Sequence, residues 1–167
     1  MRELEADVLR ELLIKCWMTH DGTWFYSCFQ EYGIEAANRL NKSAIKLLAP
    51  IEVRRVTRGL GIDVESIRCF DELRASIDGM FSVISGEFMG FEYSFHEENV
   101  MQWQIHRCFA FEGMKRIGAS DSYECGVLYR VMCWMDELGI EYTVEPAVEG
   151  CLMRDTGRCE GSVRFDL

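Results

Sequence analysis

Near residue 85 the apolar residues of this chain change their period. Before it they recur at three- and four-residue steps, and after it they alternate with polar ones. A helix stacks residues i, i+3 and i+4 on one face, whereas a strand stacks i and i+2. The two halves therefore build different elements. The switch predicts an α+β chain, with an N-terminal helical layer (1–84) packed on a C-terminal β-β-α-β-β antiparallel sheet (85–167) in a single domain.

In the first half, Leu4, Val8, Leu9, Leu12, Leu13, Cys16 and Trp17 mark one inward stripe. "THDG" interrupts it, and Asp21 is placed to cap a second helix. Trp24, Phe25, Cys28, Phe29 and Tyr32 continue the period to Gly33, a C-terminal stop. A third helix carries Ala37, Leu40, Ala44, Leu47, Leu48 and Ile51, with Pro50 expected to kink or split it. Gly59 and Gly61 close that segment. Asp63 opens another, with Ile67, Phe70, Leu73, Ile77 and Phe81 facing inward.

In the second half, "FEYSFH" and "MQWQIH" alternate on either side of "HEEN", which predicts a β-hairpin. A short helix at "FEGMKRIG" and a longer one at "SYECGVLYRVMCWMDELG" follow. "IEYTVE" and "SVRFDL" supply two further strands.

Composition narrows the partners. The 167 residues are 49% hydrophobic and 12% aromatic, enough to build a core. A net charge of −10 with no Lys/Arg stripe speaks against a nucleic acid partner. No apolar run reaches the roughly 18–20 residues that a membrane-spanning helix needs. The N-terminus is charged and amphipathic and lacks the apolar core of a secretory signal, which predicts a cytoplasmic protein. In that compartment eight cysteines are expected as thiols, metal ligands or redox groups rather than structural disulfides. No G-x-G-x-x-G, P-loop, H-E-x-x-H or G-x-S-x-G pattern is present, so nucleotide-dependent, zincin and α/β-hydrolase chemistry have no basis here.

"HDGTWF", followed by "LNKSAIKLLAPIEVRRV", resembles a family of uncharacterised prokaryotic cytosolic proteins with an H-D-G-x-W-F signature. His20, Asp21, Gly22, Trp24 and Phe25 fall on that signature, and Pro50, Ile51, Glu52 and Arg54 on a later block. From "WQIHRCFAFEGMKRIG" to "CLMRDTGRCEGSVRF" the chain is similar to 4-vinyl-reductase-like ligand-binding domains and to 2-amino-thiazoline-4-carboxylic acid hydrolase-like proteins. The pattern they share is a cysteine opening the long helix and two around the last turn, here Cys125, Cys151 and Cys159. The resemblance implies a small-molecule or metal-binding fold more than it implies a reaction.

The thiols are the first candidate site. If the last turn folds back on the start of the long helix, Cys108, Cys125, Cys151 and Cys159 meet, and four thiolates suit a tetrahedral zinc. Their spacing contains no C-x-x-C, and packed core thiols or a redox pair fit it as well. His20 beside Asp21 is a candidate base with its orienting acid, or else a helix end and a cap. His106, on a polar strand position, is the third catalytic candidate. Trp24, Trp103 and Arg107 are the ligand-binding candidates, the arginine as a clamp for a carboxylate. Together these predict a small-molecule-binding protein, expected as a homodimer, with its pocket between helices and sheet. An enzyme resembling the thiazoline-carboxylate hydrolases is the alternative, with Cys108 or Cys151 as nucleophile and His20 or His106 as base.

Overall fold

The computed structural model describes residues 3–96 and 99–167. Its longest element is α1, Ala6–Leu60, whose backbone leaves helical torsions at Gly33 alone, with φ 80° and ψ 173°. Side chains other than glycine's hydrogen are essentially excluded from that region. Gly33 therefore divides α1 into two arms.

The expected interruption at "THDG" is absent. The first arm runs straight through it, and the Thr19 and Thr23 hydroxyls bond back to the carbonyls of Lys15 and His20. Asp21 is consequently a mid-helix residue and caps nothing. Pro50 does not split the second arm either. It forfeits one N–H, while buried Ala49 and Val53 hold that turn in the core.

The arms fold back on each other, and α4 (Gly126–Leu138) shows it. The Arg130 guanidinium lies over the Trp17 ring, 4.5 Å from its centroid, and is paired with Glu52. In one unbroken helix residues 17 and 52 would be about 50 Å apart. A shared partner requires reversal at Gly33.

The first arm turns inward the face opposite to the one its leucines suggested. Leu4, Val8, Leu9, Leu12 and Leu13 are exposed and Ile14 is buried, whereas farther along Phe25 and Cys28 are buried as the period predicts. Polar contacts choose the face. Arg10 donates to the Ser82 carbonyl, the Glu11 carboxylate accepts the Glu87 N–H at 3.2 Å, and Lys15 lies over the Phe88 ring.

Beyond Gly61, in the left-handed region, the Asp63 carboxylate accepts the Glu65 N–H and closes a single 3-10 turn. The helix expected to open there starts later, as α2 (Phe70–Ile84), capped by Cys69 and Glu72. Its inward residues Leu73, Ile77 and Phe81 are buried as the period predicts.

The sheet contains β1 (Phe91–His96), β2 (Val100–Ile105), β3 (Glu141–Glu145) and β4 (Cys159–Asp166) in the order β1-β2-β4-β3, every neighbour antiparallel. The hairpin pairs Tyr93 with Trp103, as the alternation predicts. Part of its turn, residues 97–98, lies outside the described residues. Between β2 and β3 come α3 (Phe109–Arg116) and α4, and between β3 and β4 a short α5 (Leu152–Thr156) that the sequence did not announce.

Helices α2 and α4 cover one sheet face, and the arms of α1 pack over them. Phe81 joins the layers, with ring centroids 4.7 Å from Tyr93 and 5.6 Å from Trp134. At Gly161, opposite Trp103 on the neighbouring strand, a Cβ would overlap the indole ring and the Glu145 carbonyl. The missing side chain makes room for the buried tryptophan.

Replacing Gly33 with alanine forces a Cβ into the excluded torsional region. The expected loss is about 1–3 kcal/mol in urea denaturation, with an unchanged slope. A loss below about 0.5 kcal/mol would mean that the reversal does not need glycine.

Candidate functional site

Between the first arm, the start of α3, α4 and the sheet lies a cavity of about 580 Å³. That volume is in the usual range for small-molecule sites. Eight aromatic residues contribute to its wall, among them Phe25, Phe81, Phe88, Phe109 and Trp134. Residues of both arms of α1, among them Phe25 and Asn41, face Phe91 and Ile105 of the sheet across this space.

Most of the wall is apolar, and the polar residues that reach it include Lys15, Thr19, Asp21, Thr23, Ser85 and Arg116 besides Arg130, Tyr123 and Asn41. Arg130 is held by two bonds to the Glu52 carboxylate, its Nε donating at 2.9 Å, while Trp134 Nε1 donates to the same carboxylate at 2.8 Å. Glu52 is buried, and both tryptophans flank the guanidinium, Trp17 at 4.5 Å and Trp134 at 5.7 Å. Charge, hydrogen bonds and ring faces thus satisfy one ion pair in the interior.

Tyr123 is buried beside the start of α4, and its oxygen accepts the Gly126 N–H at 3.1 Å. Burial, and then the neighbouring thiol sulfurs, push its phenol well above the usual range, so it stays protonated. Asn41, from the second arm, also lines the cavity.

The four thiols are buried within electrostatic reach of one another, and of them Cys108 borders the cavity. Cys125 caps α4, accepting the Leu128 N–H at 3.5 Å, and its own N–H donates to the Gly150 carbonyl at 3.3 Å. The last turn does fold back on the start of that helix. Cys108 lines the cavity and caps α3 through the Phe111 N–H, so it opens a helix rather than ending the second strand. Cys151 precedes α5, and Cys159 is the first residue of β4.

Burial is the main force raising Cys108, Cys125 (to about 11) and Cys159 (to about 12). The charges of the other thiols add to it, with Cys151 acting on all three. Soft sulfur donors suit zinc chemically. Among the described residues, however, no group of three or more His, Cys, Asp or Glu is drawn to a common chelating point.

The remaining candidates fall elsewhere. His20 is exposed on the first arm, 3.5 Å from the Asp21 carboxylate, and only Asp21 borders the cavity. His106 is exposed and meets Glu92 at 3.2 Å. Arg107 is also exposed, beyond the end of β2, and its backbone lies against Gly90. It does not share the inward face of Trp103 and Ile105, because the strand period stops at Ile105. Trp24 is 40% exposed on the first arm and is not among the lining residues. Trp103 is core, beside a small apolar gap bordered by Leu128 and Val163. Its buried Nε1 has no aligned partner among the described residues, although it approaches the Cys159 sulfur closely enough to lower that thiol slightly.

Arg130, Tyr123 and Asn41 were not singled out by the sequence. The only available signals were a charge on the apolar face of the α4 pattern and an asparagine inside an apolar helical period.

The sequence model of a family of unknown function (DUF6125) matches residues 2–129. The match takes in both arms of α1, Cys108 and Cys125, and stops before Cys151 and Cys159. No curated protein and no solved structure matches the chain.

Arg130→Met leaves the buried Glu52 carboxylate without its cation, and an expected loss of about 3–5 kcal/mol follows in denaturant titration. Glu52→Leu combined with Arg130→Met should recover most of that loss, because no unpaired charge then stays buried. Equal losses in the single and double variants would show that packing, not charge pairing, holds these helices.

Proposed function

This chain belongs to that family of unknown function, and we propose that it is a small-molecule-binding protein whose ligand occupies the cavity between α1, α3, α4 and the sheet. One observation carries the reading: an apolar, aromatic-walled space of about 580 Å³ with a few fixed polar groups. A hydrophobic core of this size ordinarily closes at native packing density, so an opening this large calls for an occupant.

The neutral fluorophore N-phenyl-1-naphthylamine tests it. Saturable binding near one probe per chain is expected. Val127→Trp, which fills the cavity from α4, should abolish binding and leave the helical circular dichroism intact. Absence of saturable binding to the wild-type protein overturns the reading.

The zinc expectation remains a second proposal. Its support is the burial of Cys108, Cys125, Cys151 and Cys159 within each other's electrostatic reach, since a divalent cation would relieve their mutual repulsion as thiolates. Such an ion would tie the last turn to the start of α4. Metal analysis of protein purified without added metal should give about one equivalent of zinc. Less than one-tenth of an equivalent, with all thiols titratable, sinks it.

The hydrolase alternative gains no support. Burial drives Cys108 away from the thiolate a nucleophile needs, and His20 and His106 point elsewhere. A homodimer is also kept as a proposal, with the exposed stripe of Val8, Leu9, Leu12 and Leu13 facing its counterpart in a second copy. Sedimentation at micromolar concentration should show a dimer, and Leu12→Glu with Leu13→Glu a monomer. A wild-type monomer removes the proposal.

A further inference from the structure

The cavity wall is mainly apolar, with charged and hydroxyl side chains such as Lys15, Asp21, Thr23 and Arg116 also reaching it, and beside Gly126 it carries two uncharged polar side chains. A Cβ built at Gly126 would be 2.7 Å from Asn41 Nδ2 and 3.5 Å from Tyr123 Oη. The two groups are therefore neighbours, brought together from the second arm and the turn before α4, and both line the cavity.

Their hydrogen-bonding capacity is only partly used. Tyr123 Oη accepts from Gly126 N–H, which leaves its own proton to donate, and no acceptor for it is found among the described residues. Accepting at the oxygen polarises the O–H and strengthens it as a donor. Asn41 is half-buried and makes no hydrogen bond within the protein among the described residues, so its amide keeps two N–H groups and one acceptor available on the cavity wall. Polar groups half-buried or deeper ordinarily find partners. Gly126 matters here for its missing side chain, since alanine would press on the Asn41 amide and on Ile45 Cδ1, 3.1 Å away.

We propose that Tyr123 and Asn41 form a polar anchor for the carbonyl oxygen of an otherwise apolar, uncharged ligand. The inference rests on the cavity being a binding site and adds the chemical class of what it takes. Two N–H or O–H donors placed beside the same glycine suit the two lone pairs of a ketone, ester or amide oxygen. A carboxylate fits less well at this end: of the three cations lining the cavity, Arg130 is paired with Glu52, Lys15 is paired with Glu11, and Arg116 is exposed. An anion buried against neutral donors alone would carry most of its desolvation penalty.

A naphthyl ketone whose emission reports hydrogen bonding at its carbonyl is the test probe, with the matched alkyl-naphthalene as its control and the naphthoate as the anionic comparison. Wild-type protein should bind the ketone about three- to tenfold more tightly than the alkyl control, the range of one to two net hydrogen bonds, with the emission of a hydrogen-bonded carbonyl. The naphthoate should bind more weakly than the ketone. Tyr123→Phe should remove the preference and shift the emission to that of an unbonded ketone, leaving the affinity of the alkyl control unchanged.

Because Tyr123 also caps α4, Asn41→Leu and Gly126→Ala give independent readings and should each reduce the preference. Equal affinity of ketone and alkyl control for the wild type overturns the anchor while leaving the cavity reading intact. A naphthoate preference overturns it in favour of a charged site. Failure of every probe to bind overturns both readings.

Discussion

The arrangement of this protein turns on one buried ion pair. Glu52, on the second arm, is inside, and an unpaired carboxylate there would be untenable. Arg130 from α4 meets it through two donors and Trp134 through a third, while Trp17 from the first arm covers the guanidinium. Three helical segments thereby converge on one ion pair. Unlike apolar packing, which tolerates sliding by a turn, this contact fixes register as well as proximity. It holds the hairpin of α1 against α4 at the level where the cavity opens. A pair of this kind adds less to net stability than to specificity, because desolvation offsets much of its attraction.

With that register set, the remainder follows from patterning. The second arm contributes Ala49, Val53 and Val56 to a core shared with α2, α4 and the sheet. Farther along, Phe25 and Ala37 from the two arms meet Tyr123, Met114 and Cys151 in a smaller cluster near the reversal. The space left between those clusters is the cavity.

Much of the architecture could be read in the residues themselves. The change of period placed the helical half and the sheet, the alternation fixed the hairpin pairing, and Gly33 read as a stop where the structure reverses. The fold-back of the last turn on Cys125 stood in the sequence only as a supposition about elements crossing one face of a small sheet, and the bond from Cys125 N–H to the Gly150 carbonyl bears it out. What escaped was decided by partners distant in the chain. The first arm's leucines form a better stripe than its inward residues, but Arg10 found an acceptor, Glu11 a donor and Lys15 a ring on α2 and the turn beyond it. His20 and His106 looked reactive by residue type, and type carries no information on which side of a helix or strand edge is outward. Asn41 and Tyr123 gained their interest only from each other, 82 residues apart in the sequence, and no local pattern encodes such a meeting.

Gly33 has a mechanical corollary. Since the arms of α1 join through a single non-helical residue, with no intervening loop to take up slack, the angle between them is governed by two torsions. Phe25 and Tyr26 on one side of that crease and Asn41 and Ile45 on the other border the same chamber. The two Gly33 torsions therefore set how far apart these two pairs of wall residues stand, so the width of the chamber is written into one residue's backbone.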